Sequence, residues 1–566
     1  LNPGKAGGLR GERAISSGEV ATTRRPANRL VPAAFAISVL TVLPIAAIVW
    51  LAATGGTENW RHVMVNVVPR ATGRTVELLV FSCALTGIFG ILCAWLVSVF
   101  EFPGRRLLSI ALVLPLAIPS YIAAYTFGEF FDYTGPVQTG WRALFGYRTA
   151  RDYAFPDIRS LGGAVLVMSA VLYPYVYLAA RSMFMMQGRT AADVARTLGA
   201  GPFKVFWRVQ IPMARPAIMI GLTLVMMETL NDIGAVEYLG VQTLTFSIYD
   251  TWLNRGSLAG AAQIACMMLV IVAAIMLIER AARRRQRFAS QKTTANVADA
   301  LRRPLPGGRK WLATAFCTLP ILAGFMLPTG MLIKFALRRL DQFADHRLLD
   351  ALANSVIVAT AAALTCVVLS IVLVYAVRTD RSRKSLVAGR VASLGYGVPG
   401  TVLAIGVLFP FAAFDNALDG FLRDHVGLSS GLLLSGTGFA IVYAATVRFL
   451  TMAEGTVDAG FQKLSPHLDM AARTLGHSAA RTLFSTLIPN LRPAIFTAAL
   501  LVFIETLKEL SATILLRPFN FNTLATLVYE DASRAQVEDA SVAALIIVLA
   551  GLVPVLFVSR TLDGRS

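Results

Sequence analysis

Charged side chains are scarce, making up 15% of the 566 residues, against about 25% in a soluble globular chain. Nearly every apolar run reaches roughly 18–25 residues, and together with that shortage this excludes a string of two or three soluble domains. Cysteine is rare too. The five (Cys83, Cys93, Cys266, Cys317 and Cys366) all fall inside apolar runs, and no two have CxxC spacing. Neither a disulfide framework nor a thiolate metal site is indicated, and they read as small buried apolar residues. None of the five histidines falls within an expected membrane span, which argues against a His-based metal site there. A phosphate loop, GxxxxGK followed by Ser or Thr, is absent: "GGRK" at 307–310 has neither the spacing nor the hydroxyl residue. The chain is therefore expected to hold no ATPase site of its own. A membrane-embedded enzyme would need a convergent nucleophile, base or metal ligands, and none stands out. The first 30 residues lack a cleavable apolar core followed by a small-residue site. The first hydrophobic run is accordingly expected to be an uncleaved membrane helix.

Apolar sequence is what the chain has in abundance: 56% of its residues are hydrophobic. Runs such as "AAFAISVLTVLPIAAIVWLAA" (33–53) and "SVAALIIVLAGLVPVLFV" (541–558) are long enough to cross a hydrocarbon core about 30 Å thick. Twelve spans are predicted, near 32–53, 76–100, 107–130, 161–184, 214–235 and 258–279, then near 312–334, 353–377, 388–413, 431–452, 491–511 and 540–560. The fold class is thus an all-α polytopic membrane protein. The formal charge of +19 does not point to nucleic acid, because the basic residues gather in short stretches beside apolar runs. These are the tail (Arg10, Arg13, Arg24, Arg25, Arg29), "ERAARRRQRFASQK" (279–292) and "RTDRSRK" (378–384). Such placement fixes orientation by staying cytoplasmic, with a secondary attraction to anionic lipid. Both termini are then expected in the cytoplasm. The stretches 54–75, 131–160, 236–257, 335–352, 414–430 and 512–539 would face outward, holding a minority of the 52 Lys and Arg residues.

The two sets of six are repeats. "ARTLG" stands at 195–199 and 472–476, "IP" at 211–212 and 488–489, "RPAI" at 215–218 and 492–495, and "ETL" at 228–230 and 505–507, all at an offset of 277. The final helices align at 280, with "LIER" (277–280) beside "FVSR" (557–560). An even number of spans per repeat keeps both halves in one orientation, related by a pseudo-twofold along the membrane normal with any pathway between them. The expected organisation is a cytoplasmic basic tail (1–30), a first half (31–280), a cytoplasmic linker (281–311) and a second half (312–566).

Between spans four and five the chain reads "DVARTLGAGPFKVFWRVQIPMARPAI" (193–218), and in the second half "MAARTLGHSAARTLFSTLIPNLRPAI" (470–495). Each is expected to form two short helical stretches around a small-residue turn. Ala195, Gly199 and Ala200, like Ala471, Ala472 and Gly476, offer a small flat surface, and the glycine supplies a positive φ or lets another backbone approach. An apolar stripe follows (Phe203, Phe206, Trp207; Leu483, Phe484, Leu487). Then a proline sits just inside the next helix, where its missing N–H costs nothing. A single copy would pass for an ordinary amphipathic interfacial helix. Two copies share the same 13-residue step, Gly199 to Pro212 and Gly476 to Pro489.

These segments, at 190–212 and 465–489, resemble the coupling loop of ABC importer permeases. That motif runs Glu-Ala-Ala, three residues, Gly, nine residues, then Ile-x-Leu-Pro. Asp193-Val194-Ala195 and Met470-Ala471-Ala472 stand at its first three positions. Asp193 replaces the leading acid conservatively. Met470 does not, and Asp469 lies one position early, so an acid needed for docking would make the second half engage its ATPase less symmetrically. The resemblance implies two tandem six-helix halves of the type I, MetI-like kind. It also implies two copies of a separate cytoplasmic ATPase seated on the two loops, with ATP and Mg bound by that partner and no cofactor in this chain. A periplasmic binding protein would deliver cargo, and the location would be the bacterial cytoplasmic (inner) membrane. Two halves fused in one chain, with "METLNDIGAVEYLGVQTLTFSIYDTW" (227–252) and "KELSATILLRPFNFNTLATLVYE" (508–530), resemble ferric-iron permeases. Thiamine or polyamine import by the same architecture is the alternative. An ion-coupled secondary transporter with parallel repeats is a further one, but it leaves the doubled motif unexplained.

Glu228 and Asp232 are spaced i, i+4, as are Glu505 and Glu509, so each pair is expected on one face of a helix. Counting from Pro216 at about 1.5 Å per residue, Glu228 lies roughly 18 Å in, past the midplane. An ionised group there costs at least about 2.5–3.5 kcal/mol, so it should face the protein interior or a wet cavity. Oxygen ligands suit a hard trivalent cation, and Fe3+ would meet Glu228 and Glu505 only in transit. The other reading is local packing or gating: Lys508, three residues from Glu505, can bridge to it, whereas Asn231 at the matching position can only hydrogen-bond. Glu237 and Tyr238 would lie at the outer face, positioned for cargo or a docked binding protein. Tyr173-Pro174-Tyr175 is expected to be a kink with packed aromatics.

Overall fold

The computed structural model describes residues 30–56, 60–186, 194–195, 197–284, 302–380, 382–465 and 467–562. Asp193, the basic tail before Leu30 and most of the linker lie outside the described residues.

Long apolar runs form helices because a helix satisfies every backbone N–H and C=O within its own segment, which a bilayer demands. In the first half these are α1 (Leu30–Thr54), α2 (Val68–Val99), α3 (Ser120–Phe131), α4 (Leu161–Met186), α5 (Ile211–Asn231) and α6 (Leu258–Arg284). The second half repeats them as α7 (Arg309–Arg338), α8 (His346–Thr379), α9 (Gly400–Val426), α10 (Phe439–Lys463), α11 (Ile488–Leu507) and α12 (Val537–Leu562). Among the described residues, ten helices are long and apolar enough to cross a membrane, or eleven with the bent pair Arg105–Ala117 and Ser120–Phe145 taken as one. The twelfth expected span corresponds to α10, 25 residues long, which carries Arg448, Glu454 and Asp458.

The third span of each half is not one straight rod. Before α3 the chain forms Arg105–Ala111 and a 3₁₀ turn, Leu114–Ala117, then bends by 97°. Before α9 it forms Arg383–Ala392 and the turn Ser393–Gly397. Each break falls at a proline, Pro119 (φ −57°, ψ 141°) and Pro399 (φ −59°, ψ 145°), as expected of a residue that cannot donate into a helix interior.

Helices α2, α4 and α5 form one packed unit, and α8, α10 and α11 the equivalent one. Small residues let their backbones close up, the usual means of association where lipid removes the hydrophobic driving force. A Cβ on Gly90 would lie 2.7 Å from the Val176 Cβ, and one on Gly221 would lie 2.8 Å from the Val176 Cα, so α2 and α5 grip α4 at a single residue. The second half has Ser370, Ala453 and Ala498 at the equivalent positions, all fully buried. The first helix of each half crosses to the other. Besides touching α6, α1 packs on α9, where a Cβ on Gly406 would meet the Pro44 carbonyl at 2.3 Å. In addition Ser38 donates to the Ala388 carbonyl (2.7 Å) and Tyr443 to that of Leu40 (2.5 Å). In the same way α7 lies on α4, with the Ala170 carbonyl 2.0 Å from where a Gly324 Cβ would be.

The repeat extends to single hydrogen bonds. The Leu244 N–H donates to the Thr75 hydroxyl (2.9 Å), and the Leu524 N–H donates to that of Ser355 (2.7 Å), each across 169 residues. Thr243 and Thr523 cap the short helices that follow, Leu244–Tyr249 and Leu524–Ser533. Where the halves join, Phe100–Glu101 (β1) pairs in parallel with Arg303–Pro304 (β2), which pins the end of the linker against the end of α2.

Replacing Gly221 by leucine forces a side chain into the α4 backbone and is expected to lower stability by about 1–3 kcal/mol. Gly420→Ala, where a Cβ meets nothing within 4 Å, is expected to raise it by about 0.5–1 kcal/mol. Thermal unfolding of the purified variants in one detergent checks both signs.

Candidate functional site

The two loop segments fold alike. Val194, Ala195 and Thr197 are helical, as is His467–Thr474, and each stretch ends on a glycine in the left-handed region: Gly199 (φ 84°) and Gly476 (φ 82°). The N–H groups of Ala200 and His477 reach back to the carbonyls of Ala195 and Ala472 (3.0 and 3.1 Å). That is a Schellman-type stop, and it requires the positive φ. No atom lies within 4 Å of where either glycine's Cβ would be, so of the two reasons for glycine the backbone conformation holds and the close approach does not. The residue before each glycine stands out from the fold: Leu198 is 82% exposed and Leu475 79%. Ala195 is half-buried, Ala471 exposed and Ala472 buried.

Beyond the turn, Phe206–Gln210 and Leu483–Leu487 each form a π-helical turn leading to Pro212 and Pro489. Such bulges often accompany functional positions. The expected apolar stripe divides here. Phe206, Leu483 and Leu487 are buried, while Phe203, Trp207 and Phe484 are exposed. Phe206 packs on Trp95 (centroids 4.5 Å), whose indole donates to the Gln210 side chain (2.9 Å) and whose ring meets Phe100 of β1 edge-on (5.0 Å).

Helices α5 and α11 run from the two loops into the bundle, and both stop inside it. The sequence reading placed Glu228 with Asp232, and Glu505 with Glu509, on one helical face; the structure corrects this. Asp232 caps α5 with extended backbone (ψ 111°), and Glu509 lies past Lys508, the cap of α11. Each turns to the next short helix instead: the Ala235 N–H donates to Asp232 (2.8 Å), and the Ala512 N–H donates to Glu509 (3.1 Å). The carboxylates replace the partners that an interrupted helix loses. The Ser120 hydroxyl donates to the other oxygen of Asp232. At the equivalent position Gly400 has no side chain, and Glu509 pairs with Arg448 of α10 at 2.6 Å. Asn231 crosses to the other half, accepting from the Gly400 N–H (2.7 Å), and its own carbonyl accepts from Ser511 (2.5 Å). Lys508 bridges to Glu505 at 2.8 Å, as its spacing predicts.

Around these groups lie two cavities. One of about 330 Å³ extends to the loop side of the acids, lined by Glu228, Glu505, Tyr175, Tyr396, Leu224 and Leu501 among others. A second, of about 70 Å³, lies beyond the charges, where Asp232, Glu509, Ser120 and Tyr121 join them. The linings match across the repeat in position but only in part in chemistry. Tyr175 has Met452 at its repeat position, Leu116 has Tyr396, and Val171 has Arg448. Tyr173, by contrast, is fully buried in packing. The tyrosine pair around Pro174 therefore splits, one ring for the core and one for the cavity. Farther out, Glu237 accepts from the Tyr529 hydroxyl (2.6 Å), and Tyr529 meets its repeat mate Tyr249 at 3.4 Å. Tyr238 stacks edge-on with Tyr125 (4.8 Å) beneath Arg159. Sequence reasoning missed Arg448, Tyr396 and Ser120. Only Arg448 carried a signal, a lone arginine within "FAIVYAATVRFL" (439–450), which is a costly placement unless it has a role.

The family described as "Binding-protein-dependent transport system inner membrane component" matches residues 87–288 and again 367–565. The chain is similar, at 26% identity over 493 residues, to the Fe(3+)-transport system permease protein FbpB 2 of Haemophilus influenzae, covering 85% of this chain and 88% of that one. It is also similar to a probable sulfate transport system permease protein cysT of Nephroselmis olivacea, 30% identical over 215 residues (37% of this chain, 72% of that one). A third relative is the sulfate transport system permease protein CysW of Escherichia coli K12, 32% identical over 163 residues (29% and 53%). With the family's domain present twice, around a shared axis of repeated helices, the chain belongs to the binding-protein-dependent inner membrane transport components and is a fused, two-half MetI-like permease of an ABC transporter.

Proposed function

We propose that this chain is the membrane subunit of an ATP-driven importer of ferric iron. A periplasmic binding protein delivers the cargo, and two copies of an ATPase, which bind ATP and Mg, dock on the loop tips at Leu198–Gly199 and Leu475–Gly476. The observation that carries the cargo reading is the charge balance on the axis. Glu228, Asp232, Glu505 and Glu509 face only Arg448 and Lys508 there. Both cations are engaged, by Glu509 and Glu505. Such a lining favours a cation over sulfate, the anion named for two of the relatives, and its oxygen donors suit a hard trivalent ion. The larger cavity extends to the loop side of the acids, while beyond them Tyr529 bonds to Glu237 and meets Tyr249, which supports an inward-facing state. Pulling on the loops would move α5 and α11, whose broken ends hold the acids.

Uptake into vesicles containing this chain and its ATPase is expected with ferric iron and a matching binding protein; uptake of sulfate, thiamine or a polyamine instead overturns the cargo. Gly199→Phe with Gly476→Phe is expected to cut ATP-coupled uptake at least tenfold and loosen ATPase co-purification from a folded permease, and normal transport would sink the docking assignment. Arg448→Met leaves Glu509 buried without its cation, an expected loss of about 3–5 kcal/mol. Adding Glu509→Gln is expected to restore most of that loss in thermal unfolding.

A further inference from the structure

The duplicated frame presents its two mid-membrane acids in unequal states. In the second half Glu505 is held by the Lys508 ammonium at 2.8 Å. In the first half the lysine's place is taken by Asn231, which is turned away to cap Gly400. The Glu228 carboxylate makes no hydrogen bond or ion pair among the described residues; the nearby Arg448 makes its ion pair with Glu509 instead. The same cavity wall carries two phenols, Tyr175 from the first half and Tyr396 from the second, both within electrostatic reach of Glu228 and Glu505. On the outer side, the Tyr121 hydroxyl is buried with no hydrogen-bond partner among the described residues, and Tyr121 lines the 70 Å³ cavity. A polar group so placed costs free energy unless something polar meets it.

We infer that the frame offers one cation site rather than two. Glu228, with Tyr175 and Tyr396, binds the cargo ion in transit, while Lys508 acts as a tethered cation that fills the related position at Glu505. This deepens the importer reading and rests on it. An ammonium and a metal ion compete for one carboxylate on charge alone, so the lysine makes its own half of the cavity unreceptive. Asn231 does the reverse: a neutral amide, drawn off by a backbone N–H, leaves the first-half acid open. The donors are all oxygen, the chemistry of a hard cation.

The test uses terbium, a hard trivalent ion whose emission tyrosine sensitises, with the full chain in lipid nanodiscs. Wild type is expected to bind one ion per chain with saturable tyrosine-sensitised emission. Glu228→Gln, an isosteric change, is expected to bind none there, and Tyr175→Phe or Tyr396→Phe to lower the emission at least threefold. Lys508→Asn frees Glu505 and is expected to raise the count to two, and Lys508→Asn with Glu505→Gln to return it to one. Unchanged binding in Glu228→Gln, or a wild-type count of zero or two, overturns the site. If Lys508→Asn alone does not fold, the counts of one and zero in wild type and Glu228→Gln decide. Ferric uptake without terbium binding at Glu228 would remove this site and leave the importer reading standing. Sulfate uptake in place of iron would remove the importer reading whatever terbium does.

Discussion

A helix that begins inside a bilayer leaves N–H groups with no water to receive them, and the rest of this molecule is arranged around meeting that demand. Helices α5 and α11 end between the two halves, and the short helices after them begin there. Asp232, Glu509 and Asn231 supply the missing acceptors, to Ala235, Ala512 and Gly400. Because the acceptors that serve best are carboxylates, solving the backbone problem places negative charge on the axis. That charge brings Arg448 to Glu509, while Lys508 answers Glu505 within α11 and its cap. The acidity of the passage and the broken form of its helices are one feature seen twice.

Duplication sets the frame and divergence sets the chemistry. Bonds that fix helix positions are kept to the atom type, as with Thr75 and Ser355 holding the equivalent N–H groups. Several groups that face the cavities are not kept, although Glu228 and Glu505 are: Ser120 becomes Gly400, Asn231 becomes Lys508 and Val171 becomes Arg448. Each substitution reroutes a neighbour. Without a serine hydroxyl, Glu509 is drawn to an arginine; with a lysine beside it, Glu505 is occupied.

Much of this was legible in the sequence. The spans follow from run length, the repeat from "ARTLG", "RPAI" and "ETL", and the loop turns from the paired glycines, whose positive φ the structure bears out. The bridge between Lys508 and Glu505 follows from their spacing. The rest depends on tertiary placement that periodicity does not carry. Nothing local says that α5 stops at Asn231 rather than Ala235, since "ETLNDIGA" (228–235) has no proline, and its carboxylate serves as well in a cap as on a face. Nor does a pattern separate Tyr173, packed in the core, from Tyr175, two positions on and in the cavity. The exchange of α1 and α7 between halves leaves no mark on a chain whose loops are long enough for either arrangement.

That exchange bears on how the protein is made. The partners of α1 include Ala388 and Tyr443, 350 and 403 residues downstream of the positions they touch. At synthesis rates of about 5–20 residues per second, α1 waits roughly 20–80 s in the membrane before its second-half seat exists. It is suited to the wait: Leu30–Thr54 contains no charged residue, so lipid can cover the face that α9 will later take. Helix α10, with Arg448, Glu454 and Asp458, could not stand alone so long: α8, which it packs against, precedes it, and Glu509, which pairs with Arg448, follows soon after it in the chain. The order of charge along the chain is thus also an order of assembly.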